Sequence, residues 1–144
     1  MKLMFPKPSE ILPHGNGFLF VDGVIDLDKG KHITTYKDVS ENEFWYRDHF
    51  PSNPIMPGVI LIEAMAQTSA LLVLLSFEEL RGRPFVLAGV KEAKFKKAII
   101  PPTKVLMKSE LESRKFNVWF FRCQAFLNNE EAAYAQIIAA EVKK

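Results

Sequence analysis

A single cysteine, Cys123, stands in a chain of 144 residues. It has no partner for an internal disulfide and supplies no spaced set of thiolates for zinc, so neither oxidative stapling nor a cysteine metal site is indicated. The cytoplasm is the compartment that such usage predicts. Charge of one sign is also scarce: basic residues exceed acidic ones by a formal +2. Nothing global marks a nucleic-acid binder, although local basic clusters remain able to recruit an acidic partner. Internal repeats and low-complexity segments are lacking. The N-terminal run MKLMFPKPSE has too short an apolar stretch before Pro6 for a signal-peptide core, which needs about 7–15 apolar residues. What remains is ordinary globular composition, 48% hydrophobic and 25% charged, in a chain that fits one domain over residues 1–144.

The most apolar stretch runs from Val59 to Leu75. As a helix it would extend roughly 25 Å, near the lower limit for crossing a bilayer. Glu63 and Gln67 lie inside it, and a carboxyl in hydrocarbon costs several kcal/mol unless compensated, on the order of 2.5–3.5 by insertion scales. The sequence therefore predicts no membrane span but a helix wrapped by protein on nearly every side. Before it, Phe18 to Leu27 and Lys31 to Val39 read as a β-hairpin closed by Asp28-Lys29-Gly30, where Gly30 can take positive φ. After it, Arg83 to Lys94, Thr103 to Glu112, Lys115 to Leu127 and Glu131 to Val142 are strand-length runs. Their boundaries are Pro101-Pro102, Ser113-Arg114 and Asn128-Asn129. Both faces of Phe116 to Phe121 carry large apolar groups, which predicts a central strand. The alanine-rich last segment has helical propensity, but its place after an Asn-Asn turn favours strand. The expected fold is α+β: a curved antiparallel sheet of about six strands around one long helix. Such a sheet leaves edges open, and a dimer that pairs them is expected.

Chemistry concentrates between residues 49 and 67. His49 is followed by Pro51, Pro54 and Pro57 among turn formers, so it ends a strand or opens a loop. Pro57 suits the first turn of the helix, and Gly58 allows another group close to the backbone. The free N–H groups of that helix start favour an oxygen that gains negative charge. Glu63 and Gln67, four residues apart, share one helix face. A carboxyl there must be neutral, hydrogen-bonded or beside a water-accessible cavity.

The run His49-Phe50-Pro51-Ser52-Asn53-Pro54-Ile55-Met56-Pro57-Gly58-Val59, followed by Glu63-Ala64-Met65-Ala66-Gln67, closely resembles the signature of the bacterial 3-hydroxyacyl-[acyl-carrier-protein] dehydratases of the hotdog fold. The resemblance extends through Ile11-Leu12-Pro13-His14, Phe18 to Asp22 and the Val90 to Pro101 region. It departs from the family pattern at Asp48 and Ser52, which replace glycines, at Gly15-Asn16-Gly17, which replaces Arg-aromatic-Pro, and at Pro102-Thr103, which replaces Gly-Asp. Asp48 matters most, because a carboxylate beside an imidazole favours the protonated ring over the free base; in a strand it would point away from His49.

What the resemblance implies is dehydration of a (3R)-3-hydroxyacyl thioester to the trans-2-enoyl product. His49 would take the C2 proton, and Glu63, kept protonated by its apolar helix, would give one to the departing hydroxyl directly or through water. The Gly58 N–H would hold the thioester carbonyl, and Gln67 would orient Glu63 or the water. The family acts as a dimer or trimer of dimers, with the matching His and Glu facing one another across the interface. No metal or organic cofactor is implied; the acyl chain arrives on the phosphopantetheine of acyl carrier protein. Lys94, Lys96 and Lys97 around Phe95, with Arg81 and Arg83, are candidate contacts for that acidic partner. Ile62, Met65 and Ala66 are candidates for one wall of an acyl tunnel, and Trp45-Tyr46 for its border or for packing. His14, His32 and Cys123 receive no role. Hotdog domains also include acyl thioesterases and non-catalytic acyl-binding dimers, so fold alone does not choose among the three.

Overall fold

A computed structural model describes residues 5–142; the first four residues of the signal-peptide reading, and Lys143 and Lys144, lie outside them. The apolar stretch is one helix, α2 (Gly58–Ser76), preceded by a short α1 (Pro8–Ile11). Pro57 is the N-cap of α2, one position before the first-turn place expected for it. Of the most apolar window of α2, 78% is buried inside the protein, so a helix greasy on all sides is satisfied by protein contacts.

Six strands form one antiparallel sheet: β1 (Gly23–Asp28), β2 (His32–Val39), β3 (Phe85–Phe95), β4 (Thr103–Lys115), β5 (Val118–Leu127) and β6 (Glu130–Glu141), in the spatial order β1-β2-β4-β5-β6-β3. The sheet curls over α2, and Met107, Trp119, Phe121 and Ile137 meet Met65, Leu71, Leu72 and Leu74 in the core. Buried hydroxyls pin the two layers together. Thr35 and Thr68 share a hydrogen bond of 2.8 Å, and Ser69 and Ser109 one of 2.7 Å. This is the expected α+β hotdog.

Two boundaries differ from the sequence reading. The first strand begins at Gly23, not Phe18. Gln67 accounts for this: its side chain accepts the Phe20 N–H and donates to the Phe18 carbonyl, so those backbone groups are satisfied by the helix and not by a neighbouring strand. The β4–β5 turn lies at Phe116-Asn117, not Ser113-Arg114. Arg114 stays in the ladder, with its guanidinium 4.3 Å from the Trp119 ring and 3.0 Å from Glu141. Phe116 itself leaves the central strand and sits at the turn, 92% exposed with φ 56°. By contrast, Asn128 and Asn129 take φ of 48° and 67°, the geometry of a two-residue hairpin, and β6 follows as a strand.

The sheet ends on two edge strands, β1 and β3. β3 pairs only with β6, and it exposes Val86, Leu87 and Val90. A long edge with apolar side chains and unpaired backbone groups is a ready template for pairing with another chain.

Candidate active site

His49 is presented by a turn-rich loop, not by a strand. Buried Trp45 anchors that loop, and its carbonyl accepts the backbone N–H of both Asp48 and His49. Packing is thus the role of Trp45, with Tyr46 partly buried against the same core. The loop closes on itself at residue 55: the Ile55 N–H donates to the His49 carbonyl at 2.7 Å, and His49 Nδ1 lies 2.8 Å from the Ile55 carbonyl. A carbonyl only accepts, so Nδ1 carries the hydrogen and Nε2 of the neutral ring keeps the free lone pair. The ring stacks on Phe50 with centroids 4.2 Å apart. Asp48 is exposed and, among the described residues, forms no ion pair with His49.

A cleft of about 320 Å³ lies beside the imidazole, lined by His49, Ile55, Met56, Gly58 and Leu61 and by Phe95 to Ile99. The Met56 N–H donates to the Ile99 carbonyl at 2.9 Å, which ties the start of α2 to the segment after β3. Gly58 is the first helical residue, so its N–H has no acceptor within the helix. The group that needs its missing side chain is Phe95: a Cβ on Gly58 would stand 3.1 Å from the ring. An electrophilic backbone N–H and a basic imidazole nitrogen thus share one cleft, a pairing suited to removing a proton next to a carbonyl.

Glu63 occupies a different cavity. That cavity holds only about 20 Å³, room for a single water, and is lined by His14, Glu63, Ala66, Gln67 and Ala70, by Phe85 to Leu87 of β3, and by Ala139. Gln67 donates to Glu63 Oε2 at 2.9 Å. His14 Nε2 is 3.5 Å from the same oxygen, so a histidine to which the sequence assigns no role belongs to this cavity. Nothing in its local sequence signals it beyond the Pro13-His14 pair. Of the suggested tunnel wall, Ile62 and Met65 are core, while Ala66 faces the Glu63 cavity.

The five basic candidates separate. Lys96 and Lys97 line the His49 cleft. They pair with Glu131 and Glu130 respectively, and the hydrogen bond from Lys96 holds the Glu131 carboxyl below its ordinary range. Lys94 is exposed near the end of β3. Arg81 donates to the Leu74 carbonyl at 3.1 Å, and Arg83 donates to buried Glu141 at 3.0 Å. Arg81 thereby stands by the last turns of α2, away from the helix start at Gly58. His32 lies between Asp26 and Asp28 on the exposed β1–β2 edge.

Comparison with known proteins identifies the family. Residues 12–136 match the FabA-like domain. The chain is 43% identical over 137 residues to the 3-hydroxyacyl-[acyl-carrier-protein] dehydratase FabZ of Lawsonia intracellularis (strain PHE/MN1-00), covering 94% of this chain and 90% of that protein. It is 37% identical to the enzyme of the same name from Dechloromonas aromatica (strain RCB), with 92% and 93% covered. Among solved structures, the dehydratase heterocomplex ApeI:P from Xenorhabdus doucetiae superposes with a TM-score of 0.82 at 16% identity, covering 97% of this chain and 93% of that one; at that identity it speaks for the fold alone. On the strength of the matched domain and of relatives similar over nearly their whole length, the chain belongs to the 3-hydroxyacyl-[acyl-carrier-protein] dehydratases of the FabA-like family.

Proposed function

We propose that the protein is a dimeric hydro-lyase that converts (3R)-3-hydroxyacyl-[acyl-carrier-protein] to the trans-2-enoyl thioester in fatty-acid or related acyl-chain synthesis. One observation carries the site: His49 and Glu63 line separate cavities that share no residue. The two cavities lie at opposite ends of the open edge strand β3. Phe85 to Leu87 border the Glu63 cavity, and Phe95 borders the His49 cleft. Antiparallel pairing of β3 with its own copy about a two-fold near Val90 would bring the Phe95 end of one chain to the Phe85 end of the other. It would also cover Val86, Leu87 and Val90 and satisfy the edge. The composite site then unites His49 of one chain with Glu63 of the next.

In that site His49 Nε2 takes the C2 proton while the Gly58 N–H holds the thioester carbonyl as it gains enolate character. Glu63, oriented by Gln67, gives a proton to the C3 hydroxyl, which leaves as water. Acid, base and a backbone dipole suffice, so the reading asks for no metal or organic cofactor. Lys96 and Lys97 at the mouth of the cleft, with Lys94 beside them, are the first contacts we assign to an acidic carrier protein; Arg81 and Arg83 are secondary. We read the enzyme as cytoplasmic, and its assembly as a dimer or a trimer of dimers.

The deciding assay presents 3-hydroxyacyl-carrier-protein substrates of several chain lengths to the purified protein. A rise in enoyl absorbance with the thioester intact, lost in H49A and E63A, supports the reading. Free thiol without enoyl product would mean a thioesterase, and ligand-induced stabilisation without turnover a binding protein; either outcome overturns it.

A further inference from the structure

Gln67 fixes how Glu63 is held. The Phe20 N–H can only donate and the Phe18 carbonyl can only accept, and they take the Gln67 side chain at 2.8 and 2.9 Å. Its amide orientation is therefore set by backbone groups. The remaining amide hydrogen points to Glu63 Oε2 at 2.9 Å. An acid proton on Oε2 would meet that N–H head on, so the proton of a neutral Glu63 belongs on Oε1.

His14 approaches the same oxygen. Its Nε2 is 3.5 Å from Oε2, while its Nδ1 is buried without a partner. Leaving a ring nitrogen unsatisfied is costly, and among the described residues the polar contact the imidazole makes is the approach of Nε2 to Oε2, at the outer limit of hydrogen-bond distance. The remaining groups lining that cavity are Gln67 and the apolar Ala66, Ala70, Phe85, Val86, Leu87 and Ala139. Among the described residues, Glu63 is thus the one charged or titratable group that lines this cavity with His14, and His49 of the partner subunit is the group the proposed two-fold would add. Since Oε2 can only accept, the hydrogen of a neutral His14 ring sits on Nε2, facing it.

We propose that His14 is a positioning residue for Glu63: with Gln67 it directs N–H groups at Oε2, which leaves the proton on Oε1 for the departing hydroxyl. This rests on the dehydratase reading above. In the step itself the C2 proton passes to His49, and the electrons of that bond form the C2=C3 double bond. The C3–O bond breaks with its pair to oxygen, and that oxygen takes the Oε1 proton and leaves as water. The two N–H groups on Oε2 stabilise the negative charge that Glu63 acquires at this moment.

The test separates the two halves of the reaction. H14F keeps a ring of similar size without a donor, and H14Q restores an N–H. On a 3-hydroxyacyl thioester, H14F should lose about 100-fold in kcat with KM little changed, the lower end for loss of one preorganised donor, and H14Q should recover most of it. Exchange of C2 hydrogen for deuterium, followed on a saturated acyl thioester that has no hydroxyl, needs only His49 and the Gly58 amide and should stay near the wild-type rate in both. If H14F does not fold, H14N, whose amide is too short to reach Oε2, replaces it with the same expectation. Wild-type kcat in the donor-less variant, or equal loss of dehydration and exchange, overturns the proposal. A wild-type protein that does not dehydrate at all overturns the underlying reading instead.

Discussion

Gly58 is a glycine for the sake of Phe95, whose ring fills the space a side chain would take. G58A should leave stability nearly unchanged, because Ala is a better helix former than Gly and Phe95 is half exposed and can move. It should lower kcat/KM about 10-fold by pushing the ring across the cleft and off the helix start, a loss typical of a small displacement near reacting atoms; thermal melting and steady-state kinetics on one preparation check both halves. Cys123 makes a prediction of another kind. Burial pushes its thiol from 9.0 up to about 11, so between those values the folded chain keeps a proton that the unfolded chain releases. The unfolded state then binds fewer protons, and stability falls as pH rises through that window, by on the order of 3 kcal/mol for a shift of this size. C123A should flatten the fall of stability between pH 9 and 11 measured by denaturant unfolding; an unchanged slope would contradict it. At this scale the sequence shows His49, Gly58, Glu63 and Gln67, because each breaks a local pattern: a histidine before prolines, a glycine at a helix start, two polar groups on an apolar helix. His14 breaks no pattern. Its contact with Glu63 spans 49 positions and exists only once α2 has folded against the N-terminal segment.

Among the elements, β3 carries the consequence of the open edge. Val90 is 39% exposed near the middle of that strand, where the proposed two-fold would pass. V90K should set two like charges against each other there and shift the protein to monomers. Sedimentation velocity should show the smaller species, and dehydration should fall at least about 10-fold, in proportion to the dimer lost; a V90K dimer with full activity would contradict the pairing. Most elements are legible from pattern. The long apolar run, the Gly30 turn and the Asn128-Asn129 hairpin are all local signals, and each appears where its chemistry requires. The misplaced boundaries come from side chains that act at a distance. Gln67 draws Phe18 and Phe20 out of the sheet. Arg114 stays in the ladder through Trp119 and Glu141, leaving Phe116, a residue with no turn preference, to make the bend.

For the whole molecule, the separation of His49 from Glu63 is the central fact. In the proposed mechanism one protomer holds the base with the Gly58 amide in one cavity and the acid with its supporting groups in another, so neither half would remove water alone. The sequence resemblance already implies a site shared between two chains; the structure adds that the two cavities are distinct and that a bare strand edge runs between them. The direct measurement is complementation between two inactive variants. H49A and E63A, unfolded together and refolded in equal amounts, should form mixed dimers in which one site combines His49 from one chain with Glu63 from the other. Half the dimers would then hold one intact site of two, and activity should return to about a quarter of wild type. A mixture no more active than either variant alone would contradict a site shared between subunits.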